Sequence, residues 1–258
     1  MKNTFLLLVL VFTTSFYAQT LDTLRYEIDG KNFMGFVAKP SKITPETKTI
    51  LIIHEWWGLN EYPKSRALML ANAGFIAICL DMYGEGIVAD NPKDASELAG
   101  QIYEDPKLLW LRFNAGYEAA LKIRGVDPTR MAAIGYCFGG SVVLNAAKMG
   151  APLDAVVSFH GGLAGVPLEK GKMKAAVLVC NGAADKFVSE KEINEFQVEM
   201  KENSVDFTFI NYDNATHAFT NPNSTKVGEK FKMPIAYNKE ADDKSWTDFL
   251  VFMRQKVK

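Results

Sequence analysis

Few side chains in this sequence suit nucleophilic or metal chemistry. There are three histidines, His54, His160 and His217, and three cysteines, Cys79, Cys137 and Cys180, in 258 residues. Three cysteines in so long a chain do not make a disulfide framework. The sequence has neither His-Glu-x-x-His nor the paired Cys/His spacing of a metal site, so no metal is expected. Cys79 and Cys180 lie inside apolar runs and read as packing thiols. Cys137 is different. An apolar run, 131–135, leads into Gly135-Tyr-Cys137-Phe-Gly139-Gly140 and then into a stretch rich in Ala and Leu. This is a strand entering G-x-C-x-G and leaving as a helix. It is the tight turn that holds a nucleophile above a sheet, here with sulfur in place of a serine oxygen. Glycines on either side let strand and helix approach closely. The helix N-terminus favours negative charge at the sulfur.

Chain order selects the partners of such a nucleophile. In the α/β-hydrolase architecture the acid follows the nucleophile and the base follows the acid. Only His160 and His217 come after Cys137. For His160 the intervening acid is Asp154, which begins a strand and so belongs at the opposite edge of the sheet. For His217 it is Asp185, just past the apolar run 175–179. His217 itself follows the run ending near Tyr212. Cys137, Asp185 and His217 therefore all follow carboxyl ends of strands, where this class of sheet builds its sites. His217 would be general base and then acid, with Asp185 holding its ring in one tautomer.

The elements that must position these residues alternate. Runs 23–28 and 33–38 flank Asp29-Gly30, a hairpin signal. Runs 49–54, 75–80, 131–135, 155–159, 175–179 and 205–212 read as strands. Several are continuous and β-branched, as expected for strands buried on both faces. Helical spacing appears at 62–73, 92–103, 106–122, 139–148, 189–201 and 241–255. Ser189 with Glu192 forms a capping-box pattern. The fold class is α/β: an α/β-hydrolase fold, a mostly parallel sheet with helices on both faces and an antiparallel hairpin at one edge. No linker or repeat divides the chain, so residues 19–258 read as a single domain.

Four segments carry a family resemblance. They are His54-Glu55-Trp56-Trp57-Gly58-Leu59-Asn60, the Cys137 turn, Gly182-Ala-Ala-Asp185 and Thr216-His217-Ala-Phe219. Together, over about residues 24–253, the chain resembles the dienelactone hydrolase family of α/β-hydrolases. The resemblance implies a catalytic triad of Cys137, His217 and Asp185. It places the acid associated with the thiol at Glu55 and the oxyanion hole at the backbone N–H groups of Trp56 and Phe138. Dienelactone-cleaving members bind the substrate carboxylate with two arginines, and at those places this chain has Glu85 and Asn221. An anionic lactone is therefore not the expected substrate. Trp56 and the substrate-pocket candidates Trp57, Tyr83, Glu85, His160 and Phe219 are expected to line a pocket for an apolar or sugar-faced group.

Residues 1–18 read as an export signal. Lys2 precedes eight apolar residues, Phe5 to Phe12, a run too short to span a bilayer. Cleavage is expected after Ala18, with a periplasmic or extracellular product that has no membrane span. Lys and Arg (29) nearly balance Asp and Glu (30), which argues against nucleic acid as a partner. There is no G-x-G-x-x-G or G-x-x-x-x-G-K, so no nucleotide cofactor is expected. The expected activity is hydrolysis of a small-molecule ester or lactone through a thioester on Cys137. The alternatives are a peptidase or thioesterase on the same fold, or a thiol redox or binding protein.

Overall fold

A computed structural model describes residues 20–258. The expected export signal lies outside the described residues. The strands are β1 (Leu21–Ile28), β2 (Lys31–Ala38), β3 (Thr49–Ile53), β4 (Ile76–Leu80), β5 (Met131–Tyr136), β6 (Ala155–Phe159), β7 (Ala176–Gly182) and β8 (Phe207–Tyr212). The helices are α1 (Glu61–Asn72), α2 (Pro92–Glu104), α3 (Pro106–Leu121), α4 (Phe138–Lys148), α5 (Glu190–Glu202), α6 (Ser224–Phe231) and α7 (Lys239–Lys256). All eight strands join one sheet in the order β1-β2-β4-β3-β5-β6-β7-β8. Pairing is antiparallel through β1, β2 and β4 and parallel from β4 to β8. The hairpin forms where Asp29-Gly30 predicts it, with both residues at positive φ.

The apolar runs become central strands because both faces are covered. In β3, Leu51 and Ile53 face α2, α3, α4 and α5, while Ile50 and Ile52 face α1 and α7. β5 and β7 divide their side chains between the same two layers. Cys79 and Cys180 are fully buried in this packing. Burial pushes both thiols up, Cys180 to about 12, so neither ionises at neutral pH.

Polar caps set the helix starts. Asn60, Asn91, Asp105, Ser189 and Asn238 each accept backbone N–H groups at their helix N-terminus. Three expectations change. β7 runs three residues past 179, which carries the chain nearer Asp185. Ser189 caps α5, but the Glu192 carboxylate turns away and accepts the amides of Leu163 and Ala164 instead of closing a capping box. α6 is an addition to the expected elements, since its eight residues, STKVGEKF, bury only Ser224 and Gly228.

Candidate active site

Cys137 joins β5 to α4 at φ 54°, ψ −115°. A non-glycine residue in that region costs on the order of 1–3 kcal/mol and persists only when its surroundings impose it. Here they do. Its amide is shared between the Phe159 carbonyl at 3.0 Å and His160 Nδ1 at 3.1 Å. Its carbonyl accepts the amides of Gly140 and Ser141. A methyl on Gly135 would overlap the Gly139 carbonyl, and one on Gly139 would overlap the Ile53 carbonyl. The two glycines are therefore required by backbone contact.

No side chain caps α4, so its leading amides are available to an anion. The amides of Phe138 and Trp56 donate to no protein acceptor among the described residues. The peptide that carries the Trp56 N–H is fixed through its Glu55 carbonyl, which accepts His54 Nδ1 at 2.6 Å and the Gly58 amide at 3.1 Å, and the next peptide is held where the Tyr83 hydroxyl donates to the Trp56 carbonyl at 2.9 Å.

His217 follows β8 and Asp185 follows β7. His217 Nδ1 lies 2.8 Å from Asp185 Oδ2. The other carboxylate oxygen accepts the Phe187 amide at 2.8 Å, which fixes the carboxylate plane. Burial opposes a charge on the imidazole. A negative sulfur at Cys137 and the Asp185 carboxylate outweigh that penalty and raise His217 to about 10.

Glu55, just past β3, is 2 % exposed and accepts the Asn221 side-chain amide at 2.6 Å. Burial pushes its carboxyl up to about 7, against the opposing pull of Asn221, His217 and Arg66. Glu55, Cys137 and His217 open onto one cavity of about 220 Å3. Its other walls are chiefly apolar, with Trp56, Trp57, Phe187, Val188, Met233 and Ile235 among them. No Lys or Arg lines it among the described residues.

Of the expected pocket residues, Trp56 and Trp57 line this cavity, while Tyr83, Glu85, His160 and Phe219 do not. Glu85 is exposed at φ 56°, in a turn organised by Asp81, whose carboxylate accepts the amides of Met34, Tyr83, Gly84 and Gly86. Tyr83 is buried behind Trp56. His160 is fully buried, with Nδ1 accepting the Cys137 amide and Nε2 lying 2.7 Å from the Thr220 hydroxyl. Burial, the charge on His217 and Arg66 hold it neutral, well below an ordinary histidine. Phe219 packs edge-on against that ring. His54 also points into the core, with Nδ1 donating to the Glu55 carbonyl at 2.6 Å and Nε2 accepting the Met82 amide.

Sequence reasoning missed Tyr103, Phe187, Val188, Met233 and Ile235. Phe187-Val188 directly after Asp185 was a readable hint of an apolar wall. Ile235 is brought in by a bridge to His217, and no sequence pattern announces it.

A mostly parallel sheet with a strained Cys turn between β5 and α4, and a His–Asp pair after β8 and β7, is the architecture of an α/β-hydrolase. A family profile narrows this: the dienelactone hydrolase family matches residues 33–257, and the chain belongs to that family. It is a hydrolase acting on ester or lactone bonds. Protein usf of Aquifex pyrophilus is 29% identical over 221 residues, covering 83% of this chain and 94% of that protein. A dienelactone hydrolase-like promiscuous phosphotriesterase from metagenomic libraries is 31% identical with a TM-score of 0.86, covering 94% of this chain and 100% of that one. The solved structure m3DLH is 29% identical with a TM-score of 0.88 and the same coverage.

Proposed function

We propose that this chain is an exported hydrolase of uncharged carboxylic esters or lactones. It works through Cys137, His217 and Asp185 and a thioester acyl-enzyme. The observation that carries the reading is the 2.8 Å His217–Asp185 bond on a ring that shares one cavity with Cys137. His217 takes the thiol proton of Cys137. The Cys137 sulfur attacks the acyl carbon, and the carbonyl oxygen takes up negative charge against the amides of Trp56 and Phe138. The C–O bond to the alcohol breaks, and the alcohol leaves with the His217 proton. The neutral ring then takes a proton from water, the resulting hydroxide attacks the thioester, and the C–S bond breaks. Sulfur and protonated ring return with release of the carboxylic acid. Glu55 is the acid associated with the resting thiol.

Steady-state hydrolysis of p-nitrophenyl acetate by the protein lacking residues 1–18 tests this. Cys137→Ala should abolish turnover, and His217→Ala should lower kcat/KM by about 10²–10⁴-fold. Unchanged turnover in both variants would overturn the reading. If Cys137 consumed peroxide while no ester was cleaved, the redox alternative would replace it. The export part predicts a secreted product whose N-terminus is Gln19, which N-terminal sequencing reads directly.

A further inference from the structure

A second cavity, of about 560 Å3, meets the catalytic one at Tyr103 and Gly162, which line both. Its wall is firmly built. The Ser141 hydroxyl donates to the Gly162 carbonyl at 2.9 Å. Asn145 donates to the Ser141 carbonyl at 2.8 Å and accepts the Val166 amide at 2.7 Å. Glu192 holds the amides of Leu163 and Ala164. The Ser141, Asn145 and Glu192 groups named here are engaged with backbone; Ile102, Leu109, Val166 and Pro167 form the apolar part of the lining, with the exposed Glu104 carboxylate beside them.

We infer that this cavity receives the acyl arm of the substrate, and that the substrate class is an uncharged ester with an extended apolar acyl chain. The inference rests on the hydrolase reading above. Size supports it. Small-molecule pockets run to about 300–1,000 Å3; the catalytic cavity alone falls short, and the two together fall inside. Direction supports it as well. The leaving alcohol takes its proton from His217 and so lies against that ring. The second cavity includes no residue of the loops around His217: neither Asp185–Val188, Thr216–Phe219 nor Met233–Ile235 lines it. The arm it holds is therefore the acyl side. Tyr103, half-exposed at the threshold and packed edge-on to Phe138, is the gatepost between the two spaces.

The test uses two readouts. The first is kcat/KM for p-nitrophenyl octanoate relative to the acetate. The second is the rate at which octyl and methyl methanethiosulfonate modify Cys137. In that reaction the thiolate attacks the sulfenyl sulfur, an S–S bond forms and methanesulfinate leaves, so no ester chemistry is needed. The wild type should prefer the octyl reagent at least tenfold in both. Val166→Trp should reduce that preference at least tenfold, and Val166→Ala should keep it. Pro167→Trp serves as the second filled variant, with thermal unfolding as the check on folding. A chain-length preference in thiol modification that Val166→Trp removes, without cleavage of either ester, would sink the hydrolase reading and leave the acyl cavity standing. Equal rates for both chain lengths in the wild type, or a preference that survives both filled variants, would overturn the cavity assignment. So would a preference that follows the alcohol arm when octyl acetate is compared with ethyl octanoate.

Discussion

Replacing Glu55 by Gln should stabilise the protein, and only at higher pH. The carboxyl is buried, and its value moves from 4.5 to about 7 on folding. That displacement corresponds to ~3 kcal/mol of preference for the protonated form in the native state. The sign follows from proton binding. Between pH 4.5 and 7 the native state holds a proton at Glu55 that the unfolded chain has released. Stability from this group is thus complete below pH 4.5 and is lost as pH rises through 7. The glutamine side chain does not titrate, yet its amide oxygen could still accept from Asn221. The stability advantage of Glu55→Gln over wild type should therefore grow by about 3 kcal/mol between pH 4.5 and pH 8. Urea unfolding of both proteins at pH 4.5, 6 and 8 measures it, and any constant packing difference cancels in the trend. A difference that stays flat with pH, or that falls, would refute the account of Glu55 as a carboxylate charged against its surroundings.

Two further substitutions probe the positioning of the site. Asp185→Asn keeps the shape but loses the acceptor that fixes His217, and kcat/KM for p-nitrophenyl acetate should fall by about 10³–10⁴-fold, with His217 titrating well below 10 by NMR. Tyr83→Phe removes the hydroxyl that holds the Trp56 carbonyl, one peptide beyond the Trp56 N–H; loss of that bond, about 1 kcal/mol, loosens the segment that aims the amide and should lower kcat by no more than several-fold with little change in KM, as initial-rate kinetics will show.

The parallel sheet was legible because its strands are continuous apolar runs bounded by polar or glycine residues. Residues 155–159 form β6 with both ends where expected. The placement of Cys137, Asp185 and His217 was legible because chain order and strand ends fix position along the chain. Direction was not legible. His54 and Glu55 are neighbours at one strand end, yet His54 turns into the core and Glu55 into the cavity. The same ambiguity put Tyr83, His160 and Phe219 in the expected pocket, when they form the layer behind it. α6 escaped because its one apolar i,i+4 pair, Val227 and Phe231, spans a single helical turn, too short a run for periodicity to announce a helix. With it went Met233 and Ile235, which reach the site through tertiary contact alone.

The case for an uncharged substrate consequently rests on different atoms from those the sequence suggests. Glu85 stands outside the cavity, so its charge does not repel an anion there. What matters is the absence of any lining cation among the described residues, and what Asn221 does instead. An arginine at that place would lend a full positive charge. Asn221 lends only a dipole, bonded to Glu55, and the carboxyl stays near 7 instead of falling far below it. An incoming carboxylate would meet the sulfur of Cys137 and, above pH 7, an ionised Glu55. The one positive group facing it, His217, is already paired with Asp185. An ester carbonyl needs no such cation, because its charge appears only in the transition state, where the two free amides receive it. On the proposed reading the arrangement selects by when charge develops: it offers donors for an oxyanion formed at the acyl carbon and no cation for a carboxylate carried in with the substrate.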